Sequence, residues 1–171
     1  MVLKLKQKVK ASVPEYLIEI LEADLKHFSL PKERLCNEIL LKFSLKFRSN
    51  YNQEMIFEDK DIIQFTLNKD NRKYYAELCQ QMEKLNESEI IREIFLSYAV
   101  LPPFLREAHL FREKIVFLNT AQKEYRALKV HTSDGVIESR VEKIFRDKLT
   151  GYLKVTLNNK NYFIGQIRVI S

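Results

Sequence analysis

The pattern of apolar and polar positions in the first hundred residues occurs twice. Residues 8–43 and 62–98 each contain a short alternating segment, a helical segment, a break and a second helical segment. The apolar anchors of the two copies match at a shift of 54 residues, then 55: Val9 with Ile63, Val13 with Leu67, Phe28 with Met82, Leu35 with Ile90, and Ile39 with Ile94. A strand-helix-helix unit cannot bury its apolar face alone, so we expect the two copies to pair.

The alternating segments predict two β-strands, each with one polar face. A period of two places the polar side chains of the first strand together, namely Lys6, Lys8, Lys10 and Ser12. In the second strand it leaves Ile62, Gln64 and Thr66 on the outer face. Two such strands side by side form an antiparallel ribbon of a width that enters the DNA major groove. Lysine at every second position is also typical of a solvated edge strand, and this alternative stays open.

Each copy contains a helix-start signal. Pro14 suits the first turn of a helix, and Asn86 with Glu89 predicts a capping box at the start of the second helix of copy two. Backbone amides near Asn86 to Ser88 would suit a phosphate, so Ser88 joins the candidate contacts. Strand, proline-started helix, turn and second helix resemble the ribbon-helix-helix family of DNA-binding regulators. The resemblance implies an internal pseudo-dimer in which Lys8, Lys10, Ser12, Ile62, Gln64 and Thr66 lie at the base-reading positions. Ile62 departs from the family's pattern because an apolar side chain reads little beyond a thymine methyl group.

The last seventy residues have a different pattern. After Leu101-Pro102-Pro103, apolar residues recur at three and four from Phe104 to about Ala121, which predicts one amphipathic helix bridging the halves. From Tyr125 the period becomes two. The predicted strands are Tyr125–Thr132, Val136–Phe145, Gly151–Leu157 and Asn161–Ile170. Short antiparallel strands at this spacing predict a small closed β-barrel.

This segment also resembles a known family. The stretches LPPFLREAHLF, EYRALKVHTSDG, ESRVEKIF, GYLKV and YFIGQIRVI are similar to a WYL domain and its lead-in helix. Glycine replaces the tryptophan of the family's naming triplet at Gly151-Tyr152-Leu153. The resemblance implies a small Sm-like or SH3-like barrel that binds a nucleic acid or a nucleotide effector. The candidate contacts are Lys129, His131, Arg140, Lys143, Arg146, Tyr152, Lys154 and Arg168.

Charge divides the chain in the same place. Residues 1–111 contain 17 basic and 17 acidic residues, whereas residues 112–171 contain 12 and 6, so the net charge of +6 lies in the last third. Such a segment favours a polyanionic partner. Its basic residues are interleaved with Tyr125, Phe145 and Tyr152, which is the composition of single-strand binding, although Phe145 and Tyr152 would equally suit a barrel core.

No catalytic or metal-binding motif is present in the sequence. Cys36 and Cys79 lie on apolar helical positions and are expected to be reduced core residues, and the three histidines are scattered. We therefore expect no enzymatic activity, no cofactor and no metal. The absence of a long apolar run predicts a cytoplasmic protein without a membrane partner.

The sequence thus predicts an α+β protein in three parts. These are a tandem ribbon-helix-helix module at residues 1–100 (copies 4–43 and 61–100), a bridging helix at 101–122, and a WYL-like β-barrel at 123–171. The leading hypothesis is a homodimeric transcriptional regulator that reads duplex DNA with its ribbon and senses an effector with its barrel. Two alternatives stay open. One is a single-stranded-RNA-binding accessory protein that stimulates a CRISPR RNA-guided RNase, and the other is a protein-interaction adaptor.

Overall fold

The structure is a computed structural model that describes residues 5–49 and 60–171, with side chains throughout except at 45–49. The fold is α+β, and the described residues form six α-helices and two sheets. The chain divides into two compact units, Met1–Val100 (unit 1) and Leu101–Ser171 (unit 2).

Unit 1 consists of two copies of a strand-helix-helix unit. The elements are β1 (Lys8–Pro14), α1 (Glu15–Phe28), α2 (Lys32–Ser49), β2 (Lys60–Thr66), α3 (Lys69–Gln81) and α4 (Glu87–Ala99). β1 and β2 pair antiparallel as a two-stranded ribbon, which the alternation predicted. The inward side chains of the ribbon are fully buried and form one core with the second helices α2 and α4. Its members include Val9, Ile63, Phe65, Leu35, Ile39 and Phe95.

Local signals explain where these helices begin and end. Pro14 has extended backbone before α1, and Ser29 ends that helix in the left-handed region with φ 53°. The capping box predicted at Asn86 and Glu89 is confirmed, since each side chain accepts a hydrogen bond from the other residue's backbone N–H. The loss of periodicity over residues 44–61 predicts a polar loop joining the two copies, but α2 continues to Ser49 and β2 begins at Lys60, so both ends of that prediction were wrong. The remainder of that loop, residues 50–59, lies outside the described residues.

Unit 2 begins with two helices rather than the single helix that the apolar spacing predicted. α5 spans Pro103–Leu110 and α6 spans Arg112–Lys123, with Phe111 between them at φ −117° and ψ 35°, outside the helical region. No glycine or proline marks this break, so apolar periodicity alone could not locate it. Leu118 and Ala121 of α6 are buried in the core of the following sheet.

The sheet of unit 2 is open. Its strands are β3 (Ala127–Thr132), β4 (Gly135–Arg146), β5 (Leu153–Leu157), β6 (Lys160–Phe163) and β7 (Arg168–Val169), in the order β6-β5-β4-β3-β7. The predicted closed barrel is not formed, and β6 and β7 are the edges. The reason lies in the last predicted strand. A turn of 3-10 helix at Ile164–Gln166 interrupts it and leaves only two residues to pair with β3.

No helix within the described part of the chain is long and apolar enough to span a membrane.

Candidate nucleic-acid interface

The ribbon of unit 1 has an internal two-fold relation. Lys10 pairs with Gln64, and these positions differ by the same 54 residues that relate the two copies. The flanking pairs Val9–Phe65 and Ala11–Ile63 exchange under the same shift. The pseudo-two-fold axis therefore passes through the Lys10–Gln64 pair, at the centre of the ribbon.

The outward face of the ribbon displays most of the predicted contacts. Lys8, Lys10, Gln64 and Thr66 are exposed, Ile62 is 55 % exposed, and Ser12 is half-buried. Neither Lys8 nor Lys10 forms an ion pair with a carboxylate anywhere in residues 5–49 and 60–171. The centre of this face therefore carries two uncompensated positive charges.

Equivalent positions on the second helices hold the ribbon in place. Asn37 of α2 donates from Nδ2 to the Thr66 carbonyl at 3.0 Å, and Arg92 of α4 donates from Nε to the Ser12 carbonyl at 3.3 Å. Asn37 and Arg92 are related by the 55-residue shift, and Ser12 and Thr66 by the 54-residue shift. Two chemically different side chains thus make the same contact in the two copies.

The start of α4 is less suited to a phosphate than its sequence suggested. The Glu89 amide is already bonded to Asn86 at 2.9 Å, and the Ser88 hydroxyl accepts from the Ser12 N–H at 3.3 Å. Glu87 and Glu89 add two carboxylates to the first turn. Lys6 bonds Glu87 at 2.7 Å, and this hydrogen bond raises the pKa of Lys6. Lys6 and Ser88 are therefore engaged within unit 1.

In unit 2, strands β4, β5 and β6 bring six side chains onto one face. A bulge between Val141 and Lys143 shifts the β4–β5 register. Beyond it, cross-strand pairing aligns two rows of three, namely Lys143, Thr156 and Asn161, then Phe145, Lys154 and Phe163. Paired neighbours point to the same side of a sheet, so these residues share a surface, here called the β4–β6 face.

Cations and aromatic rings are in contact on the β4–β6 face. The Lys143 Nζ lies 4.9 Å from the centre of the Phe145 ring, and the Lys154 Nζ lies 4.6 Å from that of Phe163. Both distances are within the range of cation–π attraction. Lys154 also lies 3.4 Å from Asp147, whereas Lys143 is exposed and has no carboxylate partner among the described residues. Thr156 donates to Asn161 at 2.7 Å, which adds a polar pair beside the rings.

The other predicted residues of unit 2 lie elsewhere. Lys129, His131, Arg140 and Arg168 are exposed on β3, β4 and β7, with His131 paired to Arg168 across the strands. Arg146 lies over the Phe104 ring at 5.3 Å. Tyr152 is buried at 8 % exposure, so it presents little surface to a ligand. A tyrosine at this position is therefore explained by packing inside unit 2.

Sequence reasoning did not identify Phe163 as a residue of this face, and it noted Phe145 without choosing it as a site residue. Both are half-buried, and both meet a lysine on the face just described. Alternation within Lys160–Phe163 could have placed Phe163 opposite Tyr162. Phe163 belongs to the β4–β6 face because it pairs with Lys154, and the turn between β5 and β6 sets that pairing.

The described residues contain no group of histidine, cysteine and acidic side chains able to hold a metal ion. Burial raises the pKa of Cys36 to about 12 and also raises that of Cys79, so both thiols stay protonated at neutral pH.

Comparison with known proteins finds a likeness in structure but none in sequence. No protein-family model matches the chain, and no curated protein matches it. A solved structure described as the crystal structure of a CRISPR Cas-related protein superposes with a TM-score of 0.66 and 10 % sequence identity. The match covers 98 % of this chain and 63 % of that one, so the chain spans less than two thirds of its structural neighbour. At this identity the likeness establishes a shared fold.

Proposed function

We propose that this chain is a non-enzymatic nucleic-acid-binding accessory protein that contacts single-stranded RNA mainly through unit 2. The observation that carries the proposal is the β4–β6 face, where exposed or half-exposed lysines meet two aromatic rings. Proteins hold single strands by combining phosphate-neutralising cations with rings on which bases stack. Phe145 and Phe163 lie two strands apart, about 10 Å at the usual strand spacing, with Lys154 between them.

The distribution of charge favours unit 2 over the ribbon as the main contact. Residues 1–100 contain 16 basic and 16 acidic residues, whereas residues 101–171 contain 13 and 7. In unit 1 the Lys6 charge is compensated by Glu87. Counterion release from phosphates scales with the number of uncompensated cations, so we expect the larger salt-dependent contribution from unit 2.

The structural neighbour gives this proposal a biological setting. A protein described as CRISPR Cas-related shares the fold over nearly the whole of this chain. We therefore extend the proposal to a partner, a CRISPR RNA-guided RNase that the bound chain stimulates. The paired strand-helix-helix copies support assigning unit 1 to a tandem ribbon-helix-helix module. The sheet order and the Gly151-Tyr152-Leu153 triplet at the start of β5 support assigning unit 2 to a WYL-like domain.

Duplex DNA is the second candidate ligand, and the ribbon favours it. Lys8 and Lys10 are exposed at the centre of an antiparallel pair, and Gln64 and Thr66 offer hydrogen bonds beside them. A two-stranded ribbon fits the major groove, where such side chains distinguish base pairs. In this alternative the chain is a DNA-binding regulator, and unit 2 senses an effector.

Binding assays on charge variants separate the two candidates. We would measure fluorescence anisotropy of the full chain with a labelled single-stranded RNA and with a duplex DNA of equal length. For the RNA, changing Lys143 and Lys154 to alanine should weaken binding about tenfold or more, while changing Lys8 and Lys10 to alanine should alter it less than twofold. The reverse order of effects, with the duplex bound more tightly, would favour the DNA regulator. Lys123→Ala, an exposed cation on α6, is the matched control.

A further inference from the structure

Unit 1 contains a cavity in its first copy, and comparison with the second copy indicates what could fill it. The cavity has a volume of about 310 Å³ and lies between α1, the start of α2 and the start of β2. Its walls are mainly apolar, and three charged residues lie among them. The apolar lining is Ile18, Leu21, Leu25, Leu35, Cys36 and Ile62, and the charged residues are Glu22, Lys32 and Asp61.

The second copy shows what fills the corresponding place. The 54-residue shift relates Leu21 to Tyr75, which is 1 % exposed. Burial raises the pKa of Tyr75 far above its usual range, and the neighbouring Cys79 and Glu87 raise it further. Cys79 and Glu87 are the counterparts of Leu25 and Lys32 in the cavity wall. Copy two therefore places its own phenol ring where copy one has the smaller Leu21.

We propose that this cavity is a binding site for a small aromatic molecule that carries a cationic group. The ring would occupy the space that Tyr75 fills in the second copy, against Leu21, Leu25 and Leu35. A volume of about 310 Å³ is at the lower end for ligand sites and accommodates a single substituted ring.

The charged residues around the cavity favour a cationic group on the ligand. Glu22 and Asp61 contribute two carboxylates and Lys32 one ammonium, all three exposed, so the net charge there is negative. The Asp61 carboxylate also accepts from the Ile62 N–H at 2.7 Å, which fixes one carboxylate beside the cavity wall. In copy two the carboxylate of Glu87 already binds an ammonium, that of Lys6, at 2.7 Å. In copy one Lys32 takes the position of Glu87, so a ligand amine would pair with Glu22 or Asp61 instead.

The site also adjoins the outward face of the ribbon. Ile62 lines the cavity and is 55 % exposed, so it belongs to both surfaces. An occupant would therefore lie beside Ile62, next to Gln64 on the outward face of the ribbon. The proposal does not depend on which nucleic acid the protein binds.

Three probes of matched ring size test the inference on the full chain. We would follow the methyl resonances of Ile18, Leu25 and Ile62 by NMR during titration with tyramine, with p-cresol and with 3-(4-hydroxyphenyl)propionate. Ligands of about ten heavy atoms bind in the high-micromolar to millimolar range. We expect saturable shifts with tyramine, at least about threefold weaker binding of p-cresol, and the weakest binding of the propionate, because the rim is net negative.

Two filling variants and one charge variant complete the test. Leu21→Tyr copies the second repeat and should abolish tyramine binding, with Leu25→Phe as the substitute if Leu21→Tyr does not fold. Glu22→Gln should weaken tyramine binding about threefold or more, whereas the matched change Glu19→Gln, one turn away and outside the cavity, should leave it unchanged. Three results would each overturn the proposal. These are no saturable shifts in the wild type, unchanged binding to a folded filling variant, and the propionate or p-cresol binding as tightly as tyramine.

Discussion

At the scale of single residues, the Asn37 side chain connects three elements of unit 1 through hydrogen bonds. It is 5 % exposed, donates to the carbonyls of Glu33 and Thr66, and accepts from the Asn68 N–H at 2.9 Å and the Asn71 amide at 3.0 Å. Its side chain therefore ties α2 to the end of β2 and to the start of α3. Arg92 provides the corresponding bond to Ser12 in the other copy.

We predict that Asn37→Ala lowers the free energy of unfolding by about 1–3 kcal/mol, because several buried polar groups lose their partner at once. Urea denaturation followed by circular dichroism measures this value. Gln80→Ala, an exposed position on α3 of the same unit, is the control and should change stability by less than about 0.5 kcal/mol. An Asn37→Ala protein as stable as the control would show that these bonds contribute nothing net.

Asp147 gives a prediction about pH. The Thr150 hydroxyl and N–H donate to its carboxylate at 2.6 and 3.1 Å, and these bonds, with Lys154 nearby, lower the pKa of Asp147. A carboxyl group with a lowered folded-state pKa stabilises the fold above its ordinary pKa of about 3.9, and that stabilisation is lost as pH falls through the folded value.

Thermal unfolding between pH 6 and pH 2.5 should therefore show a smaller acid-induced loss of stability in Asp147→Asn than in the wild type. The control is Asp70→Asn, an exposed carboxylate in the first turn of α3. Identical pH profiles for the wild type and Asp147→Asn would contradict the assigned bonds.

At the scale of elements, the two copies differ most at the start of their second helices. α4 has a capping box, whereas α2 begins after Pro31 with Lys32 and Glu33. We predict that Asn86→Ala destabilises unit 1 by about 1 kcal/mol, while Asn86→Asp, which retains a capping oxygen, stays close to the wild type. Chemical denaturation of the three proteins measures the difference. Equal losses of stability in Asn86→Ala and Asn86→Asp would show that the hydrogen bond from the Glu89 N–H to the side chain at position 86 does not stabilise the start of α4.

Also at this scale, sequence predicts what depends on near neighbours and misses what depends on long-range register. The ribbon, the Asn86 cap and the strand–helix order follow from period-two and period-four spacing and from local hydrogen bonding. The helix break at Phe111 has no glycine or proline beside it. Gly165 lies in the 3-10 turn at Ile164–Gln166, but a single glycine did not indicate that the last predicted strand is interrupted there.

The β4–β6 face depends on a bulge and on two strand registers, and no local pattern specifies these. Sequence reasoning therefore found Lys143 and Lys154 by charge but not Phe163, and it chose the buried Tyr152 as a contact. Composition identifies the basic residues as candidates, whereas only the folded sheet shows which side chains are exposed and which of them are neighbours.

At the scale of the whole molecule, the two units differ in net charge. Unit 1 is electrically neutral and unit 2 carries the net charge of +6. A ligand with many phosphates should therefore be held chiefly by unit 2, with base stacking on Phe145 and Phe163 adding affinity that salt does not screen.

The most direct test of this central claim is the salt dependence of single-stranded RNA binding by the full chain and two variants. Phe145→Leu with Phe163→Leu keeps apolar packing but removes both rings. It should weaken binding by about 1–3 kcal/mol per stacked base and leave the slope of log K against log salt unchanged. Lys143→Ala should instead reduce the slope by about 0.7. Tyr125→Ala, which removes an aromatic ring that is 75 % exposed outside the face, is the control. If the leucine variant binds like the wild type and like this control, the β4–β6 face is not the RNA site and the account fails.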